Sequence, residues 1–544
     1  MSQTALARLP APTDPRRELI ALHQQLFRRQ RRLIEELTLP ETSVLAAYRR
    51  RFQRHARSYE RVVTYDDVLE AAGESDLVYV GDYHTLRLAQ KSFLRLAERL
   101  CERGRPPLLG LEFVQARFQP AVDAYLEGSL EEAELLRDIR YAETQAFDVW
   151  PNFRPIFELA RARRLRIAAL DRRAGGPRSL EARDAFAAQA LARALRPGEP
   201  ALVLFGQLHL APPHLPAAVR AALRRPVGPE LLVYQNCEEI YWALERAGLE
   251  HSVEAVQIAD RAYCLVNSSP LVCQQSYLDW VEATREGERI EATAPAHHFH
   301  EAAELLSRFL EVPLRVPIER VAIHGPGDLS FLTALRGRGR LGAREARALT
   351  RRMLARESFC LHGQRAVYLA SSSFNHAAEV AAQFLRHAWI DDPGELPEPR
   401  GLVDGFYART LDQAFGFFGS KVLNPRRKAR HAPQLARQLA QGSTGEREIA
   451  KLVLAHLRFE RGERAPEVRR AYRLRDAELW GRVTRALGQI LGDKLYYSML
   501  RGGIPKTVLR DVFQDPLEDE GAAFHTYLYL SARVGKTRVP LRSA

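Results

Sequence analysis

Hydrophobic and polar positions follow two different periods along this chain, and the change of period divides it. Between about residues 74 and 240, five short runs are nearly continuous in apolar residues. They are DLVYVG (76–81), PPLLGLEF (106–113), LRIAALD (165–171), ALVLFG (201–206) and LLVYQN (231–236). Runs of this kind read as strands covered on both faces. The stretches between them, 86–103, 117–139, 151–164, 178–196 and 213–224, read as helices. Strand and helix in alternation predict an α/β fold with a largely parallel sheet flanked by helices.

On either side the pattern is helical. Residues 14 to 60 are rich in Arg and place Leu19, Leu22, Leu26 and Leu33 at helical spacing. After about residue 250 amphipathic stretches dominate, among them HEAAELLSRFLEV, FNHAAEVAAQFLRHAW and GEREIAKLVLAHLRF. SSSFNHAAEV reads as a capped helix start, with Ser373 or Asn375 as the cap. RVAIHGPGDLSFL and HTYLYLSARVGKTRV are expected to hold short extended pieces, and DDPGELPEPRG (391–401) a loop. The expected organisation is an N-terminal helical segment (1–65), an α/β domain (66–260) and a mainly α-helical region (261–544).

Composition narrows the class of protein without naming it. The chain has 544 residues and a formal net charge of +13. Its basic residues sit beside acidic ones in helical patterns, which reads as solvated helix faces, so no nucleic-acid partner is expected. The five cysteines show no CxxC spacing and are odd in number, which excludes a disulfide framework or a zinc ribbon. A reducing compartment fits that usage. The N-terminus has no apolar signal region and no cysteine to take a lipid. No run approaches the roughly 18 apolar residues of a membrane span. The expectation is a cytoplasmic protein, and a homodimer is one assembly the sequence allows.

The chemistry lies in where the polar residues fall. Each proposed strand carries them at its carboxyl end: Asp82 and His84, then Glu112, Asp171, His209 and Asn236. In open parallel sheets ligands bind beyond that edge. Two of the ends share a Gly-x-x-His pattern, GDYH (81–84) and GQLH (206–209). Gly81 and Gly206 would let the chain turn sharply or let other groups come close. His84, His209 and Glu112 would suit a divalent metal or general acid–base work. Asp82 and Asp171 would orient the histidines or add charge behind them.

Taken together, VYVGDYHTLRLAQKSFLRL, LLGLEFVQARFQPAVDAYLEG, VWPNFRPIFELARARRLRIAALD, RDAFAAQAL and ALVLFGQLHL resemble the ChaN-like haem-binding proteins. That family is similar to Tiki-type metalloproteases, TraB-like proteins and erythromycin esterases. The resemblance covers roughly residues 70 to 240. It matches Gly81, Asp82 and His84 to the first motif, where the family more often has Glu at the position of Asp82. Glu112 matches the acidic strand end, and Trp150 and Pro155 the aromatic helix entry. Asp171 stands where the family often has Asn. Arg183 and Asp184 match the Arg-led helix, and Gly206 and His209 the second motif.

What the resemblance implies is a haem- or iron-binding protein whose small-molecule ligand lies at the carboxyl ends of the strands. Asp82, Tyr83, His84, Glu112, Asp171 and His209 would surround the ligand, with Tyr83 or His84 as iron ligand. Trp150, Arg183 and Asp184 would support them. The alternative it implies is a hydrolase, with or without a metal, that uses His84, Glu112 and His209 to activate water. Relatives are often exported lipoproteins, a departure from the present N-terminus. Elsewhere, His297, His300 and Glu301 could meet on one helical face, and His376 and Glu379 lie one turn apart. The basic run 424–438 reads as a solvated loop and helix start.

Overall fold

The computed structural model describes residues 14–540 except 39, 145–147, 173–178, 224–227, 286–293, 326, 327, 329, 338–340, 355, 356, 362–364, 372, 391–400 and 475. The loop expected at 391–401 lies outside the described residues apart from Gly401. Contacts divide the chain into two compact units, one spanning Leu26–Arg289 and the other Ile290–Leu541 with the residues up to Gln25.

In the first unit every apolar run becomes a strand. β1 is Arg61–Val63, β2 Leu77–Asp82, β3 Leu108–Gln115, β4 Ile167–Asp171, β5 Ala201–Gly206 and β6 Glu230–Gln235. β7 (Ala255–Ala259) and β8 (Ala262–Leu265) complete a sheet of order β1-β7-β8-β6-β2-β5-β3-β4. From β8 to β4 all neighbours are parallel, while β7 runs antiparallel to β8 and to β1. Alternate residues serve opposite cores. Val78, Val80, Leu109, Leu111, Leu202 and Leu204 enter one, and Leu77, Tyr79, Leu108, Val203 and Phe205 the other. Burial on both faces is why these strands carry no polar alternation.

The antiparallel edge was not legible in the sequence. β1, β7 and β8 are three to five residues long, and the β7–β8 link turns at Arg261 with φ 52°. Runs so short give little periodicity to read. The expected helix 117–139 divides into Gln119–Glu127 and Glu132–Asp138. Gly128, at φ 83°, ends the first of these in the left-handed conformation that glycine adopts at little cost.

The second unit is mainly helical, with a small sheet of β9 (Ala322–His324), β10 (Phe359–Leu361) and β11 (Ala366–Tyr368). β9 meets the expectation of an extended piece. HTYLYLSARV does not: it lies in the helix Ala522–Val534, which buries Tyr527, Leu530 and Val534 at helical spacing. Its β-branched and aromatic content was outweighed by tertiary packing. Ser373 is the cap of the helix Phe374–Trp389, accepting from the His376 N–H.

Two long helices, Leu402–Leu423 and Ala477–Leu500, pack against each other through glycines. A Cβ on Gly488 would lie 2.6 Å from the Thr410 carbonyl oxygen, and one on Gly492 would collide with that of Ala414. Because the obstacle is backbone, the helices would have to part. Gly492→Ala is expected to cost about 1–3 kcal/mol, read as a lower urea midpoint. A midpoint equal to wild type would refute this close packing.

Candidate functional site

The carboxyl ends of β2, β3, β4 and β5 converge, because neighbouring parallel strands end on one edge. Glu112, near the end of β3, is buried with its side chain only 4% exposed. It accepts two hydrogen bonds and has a histidine close by. Arg183 Nη2 donates to Oε1 at 2.5 Å, the Gly206 backbone N–H donates to Oε2, and His84 Nε2 lies 3.8 Å from Oε2. Burial pushes the Glu112 pKa up, but His84, His209, Arg183 and the Gly206 N–H outweigh it and bring it below the ordinary value. Arg183, on the helix Ser179–Ala194, also holds Asp171 Oδ1 through Nε at 3.1 Å and Nη2 at 2.8 Å. Asp171 therefore pairs with the arginine and orients neither histidine; of its two expected roles, only added charge behind them is left.

Each histidine has its own carboxylate. His84 Nδ1 lies 2.5 Å from Asp82 Oδ2, and Asp82 Oδ1 accepts from Gln90 Nε2. His209 Nδ1 lies 2.6 Å from Asp184 Oδ1. Tyr48 donates to Asp184 Oδ2 at 2.7 Å, its hydroxyl lies 2.9 Å from His209 Nδ1, and its ring stacks on His214 at 3.6 Å. Burial, then the Asp184 charge, keeps that phenol protonated. The two imidazoles differ in access: the side chain of His84 is 47% exposed and that of His209 6%. Desolvation opposes charging His84, yet Asp82, by charge and hydrogen bond, and Glu112 prevail over it and over Arg183. Its pKa rises from 6.5 to about 9.

The two motif glycines act by close approach rather than by an unusual backbone angle; neither is among the described residues with positive φ. A Cβ on Gly81 would lie 2.6 Å from Gln207 Oε1, and one on Gly206 3.1 Å from Glu112 Oε2. Gln207 Oε1 accepts from the Gln235 N–H, and Gln235 Nε2 donates to the Gly81 carbonyl. These amides tie β6 to both motifs.

The structure thus brings together Asp82, His84, Glu112, Asp171, Arg183, Asp184 and His209. Tyr83 stands apart, with Cys273, Cys237, Glu238 and Cys264 as its electrostatic neighbours, and burial raises its phenol. Trp150 packs among Phe113 and Phe157 and donates from Nε1 to Glu132. It supports the strand beside Glu112 through Phe113, and the neighbouring Phe153 lies 6.4 Å from His84 between ring centroids. Pro155 lies inside the helix Trp150–Arg163. Among the described residues no group of three or more His, Cys, Asp or Glu side chains is arranged to hold a metal ion. That applies to His84, Glu112 and His209 and also to His297, His300 and Glu301. No helix among them is long and apolar enough to cross a membrane. Tyr48, Gln90 and Gln235 were missed in the sequence, where nothing marks them. Gln207 was within reach, as a polar residue inside the second motif.

These features define an α/β protein with paired Gly-x-x-His elements and a buried glutamate at the carboxyl edge of its parallel strands. Residues 68–175 match the family model described as haem-binding uptake, Tiki superfamily, ChaN. Over that region the chain is similar to the ChaN family, as its motifs suggested. The match includes the first motif, Glu112, Trp150 and Asp171, and ends before Arg183 and the second motif. No curated protein and no solved structure matches the chain.

Proposed function

We propose that this protein binds haem at the carboxyl edge of the sheet, with His84 as the residue that meets the iron. The observation that carries this reading is the half-exposed imidazole whose Nδ1 is held by the buried Asp82 at 2.5 Å. Metal-binding histidines commonly donate their other ring N–H to a carboxylate, which fixes the ring and raises its basicity. The donor set fits haem better than a free divalent ion. Glu112 and Asp171 already share Arg183, and His209 is buried against Asp184 and Tyr48. One half-exposed imidazole suits a ligand that brings its own four nitrogen donors. Tyr83, raised by burial and turned toward the cysteines, is the weaker iron ligand. The ligand domain in this reading is 66–260, working in the cytoplasm.

Hemin titration of the whole protein tests this. Wild type should give a saturable Soret shift, and His84→Ala should weaken binding about 10-fold or more, the usual scale for losing support at a metal site. His209→Ala should weaken it far less. No saturable shift, or one unaffected by His84→Ala, would refute the assignment.

A hydrolase reading draws on the Asp184–His209–Tyr48 set, a carboxylate and a phenol that fix an imidazole. His84, with its pKa at about 9, is a cation at pH 7 and cannot accept a proton there. His209 would then be the base. Ester turnover abolished by His209→Ala, without hemin binding, would favour that reading.

A further inference from the structure

We propose that the site at the carboxyl edge holds its ligand by an apolar rim of Val44, Leu88 and Tyr277, which takes the flat ring of a porphyrin with or without a metal at its centre. The proposal rests on the haem reading and names the residues that meet the ring rather than the iron. Four large hydrophobic side chains of the sheet-bearing unit stand exposed among the described residues: Val44, Val62, Leu88 and Tyr277. Val62 lies on the edge strand β1. The other three lie on three helices that border the site.

Leu88 is in the first turn of the helix Arg87–Glu102, four residues after His84. Tyr277 is on the helix Pro270–Arg285, whose Ser276 Oγ accepts from Thr85 Oγ1 at 3.1 Å. Thr85 follows His84 directly. The link before that helix also reaches Leu88, whose carbonyl accepts from Asn267 Nδ2 at 3.4 Å. Val44 opens the helix Ser43–Ala56, one turn before the Tyr48 that meets His209. Burial raises the Tyr277 phenol and the Arg49 charge opposes it, so this third helix borders Tyr277 too.

Exposed hydrophobics are ordinary when scattered singly, whereas apolar surface gathered round a polar centre marks a binding site. The polar centre here is the half-exposed His84, beside Glu112 and Arg183. A free metal ion or a small polar substrate would reach His84 and leave all three side chains in water. A ligand that covers them is broad, apolar at its rim and able to meet an imidazole near its middle. Tyr277 adds a preference for a conjugated ring. It stacks on Trp280, one turn on, with ring centroids 5.5 Å apart and planes at 22°. Such a pair offers a flat π face, on which offset stacking is favourable. Leu88 and Val44 supply aliphatic surface, whose removal from water adds affinity in proportion to its area.

The test is a fluorescence titration of the whole protein with metal-free protoporphyrin IX, beside the hemin titration. The metal-free ring has no iron for His84 to meet, so its binding reports the rim. Wild type should bind it saturably. Tyr277→Ser should weaken both ligands about 10-fold, the scale of an aromatic stacking contact, and Leu88→Ser about 5-fold. Both side chains are 40% exposed, so serine at either leaves the core intact. Val62→Ser, at a similarly exposed side chain on β1, is the control and should leave both affinities at the wild-type value. No saturable binding of protoporphyrin, wild-type binding by both Tyr277→Ser and Leu88→Ser, or equal weakening by all three variants would overturn the proposal. The two readings fail separately. Protoporphyrin bound through the rim, with hemin indifferent to His84→Ala, would refute the iron ligand and keep the rim. Hemin binding that needs His84 but neither Tyr277 nor Leu88 would do the reverse.

Discussion

Replacing Glu112 with alanine will destabilise the sheet-bearing unit by about 3 kcal/mol, the lower end of what removing one partner from a buried ion pair costs. The carboxylate is 4% exposed and satisfies Arg183 and the Gly206 N–H, both of which lose a partner. The cost stays at the lower end because Arg183 keeps Asp171. Glu112→Gln retains an oxygen for the Gly206 N–H but loses the charge and the oxygen that accepts from Arg183, without leaving a cavity, so it should cost less, about 1–2 kcal/mol. Urea denaturation of both variants decides the matter. If Glu112→Ala loses under 1 kcal/mol, the glutamate does not hold the strand ends together.

Hemin affinity will rise about 50-fold between pH 7 and pH 9 and then level off, because an imidazole must lose its proton to meet a metal. The sign follows from the His84 pKa, raised from 6.5 to about 9. At pH 7 nearly every His84 is protonated, and at pH 9 about half have released the proton. Asp82→Asn removes the main source of the elevation and should move the midpoint back toward 6.5. A flat wild-type profile over this range would show that His84 does not meet the iron. The same shift acts on folding. Below pH 6.5 the imidazole is charged folded and unfolded, and the pair with Asp82 contributes in full. Above 6.5 the unfolded chain releases its proton first, so this stabilisation falls and is lost as pH rises through 9. With the imidazole half exposed, solvent screening holds the contribution to about 1 kcal/mol.

The strands that build the site could be read from the chain because they are buried on both faces. That demand leaves continuous apolar runs such as LVYV and ALVLF, each closed by the polar residues that reach the sheet edge. The helices between them, and the cap at Ser373, follow equally local rules. The short edge hairpin β7–β8 and the helix Ala522–Val534 escaped the same reading. Four or five residues show no period, and local preference yielded to packing.

By itself the sequence determined that His84, Asp171 and His209 would stand at or just past the ends of strands, since a strand's end is a local property, whereas β3 runs three residues beyond Glu112. Only the tertiary structure decided which of them meet. Strand order put β5 between β2 and β3, and so set the Gly206 N–H and His84 against one glutamate. It turned Asp171 to Arg183 and Tyr83 to the cysteines, and it drew in Tyr48 from 161 residues before His209. Hydrogen bonds and ion pairs act over a few ångströms of space whatever the separation along the chain. No period or motif marks such a partner, and the packing of the sheet and its helices selects it.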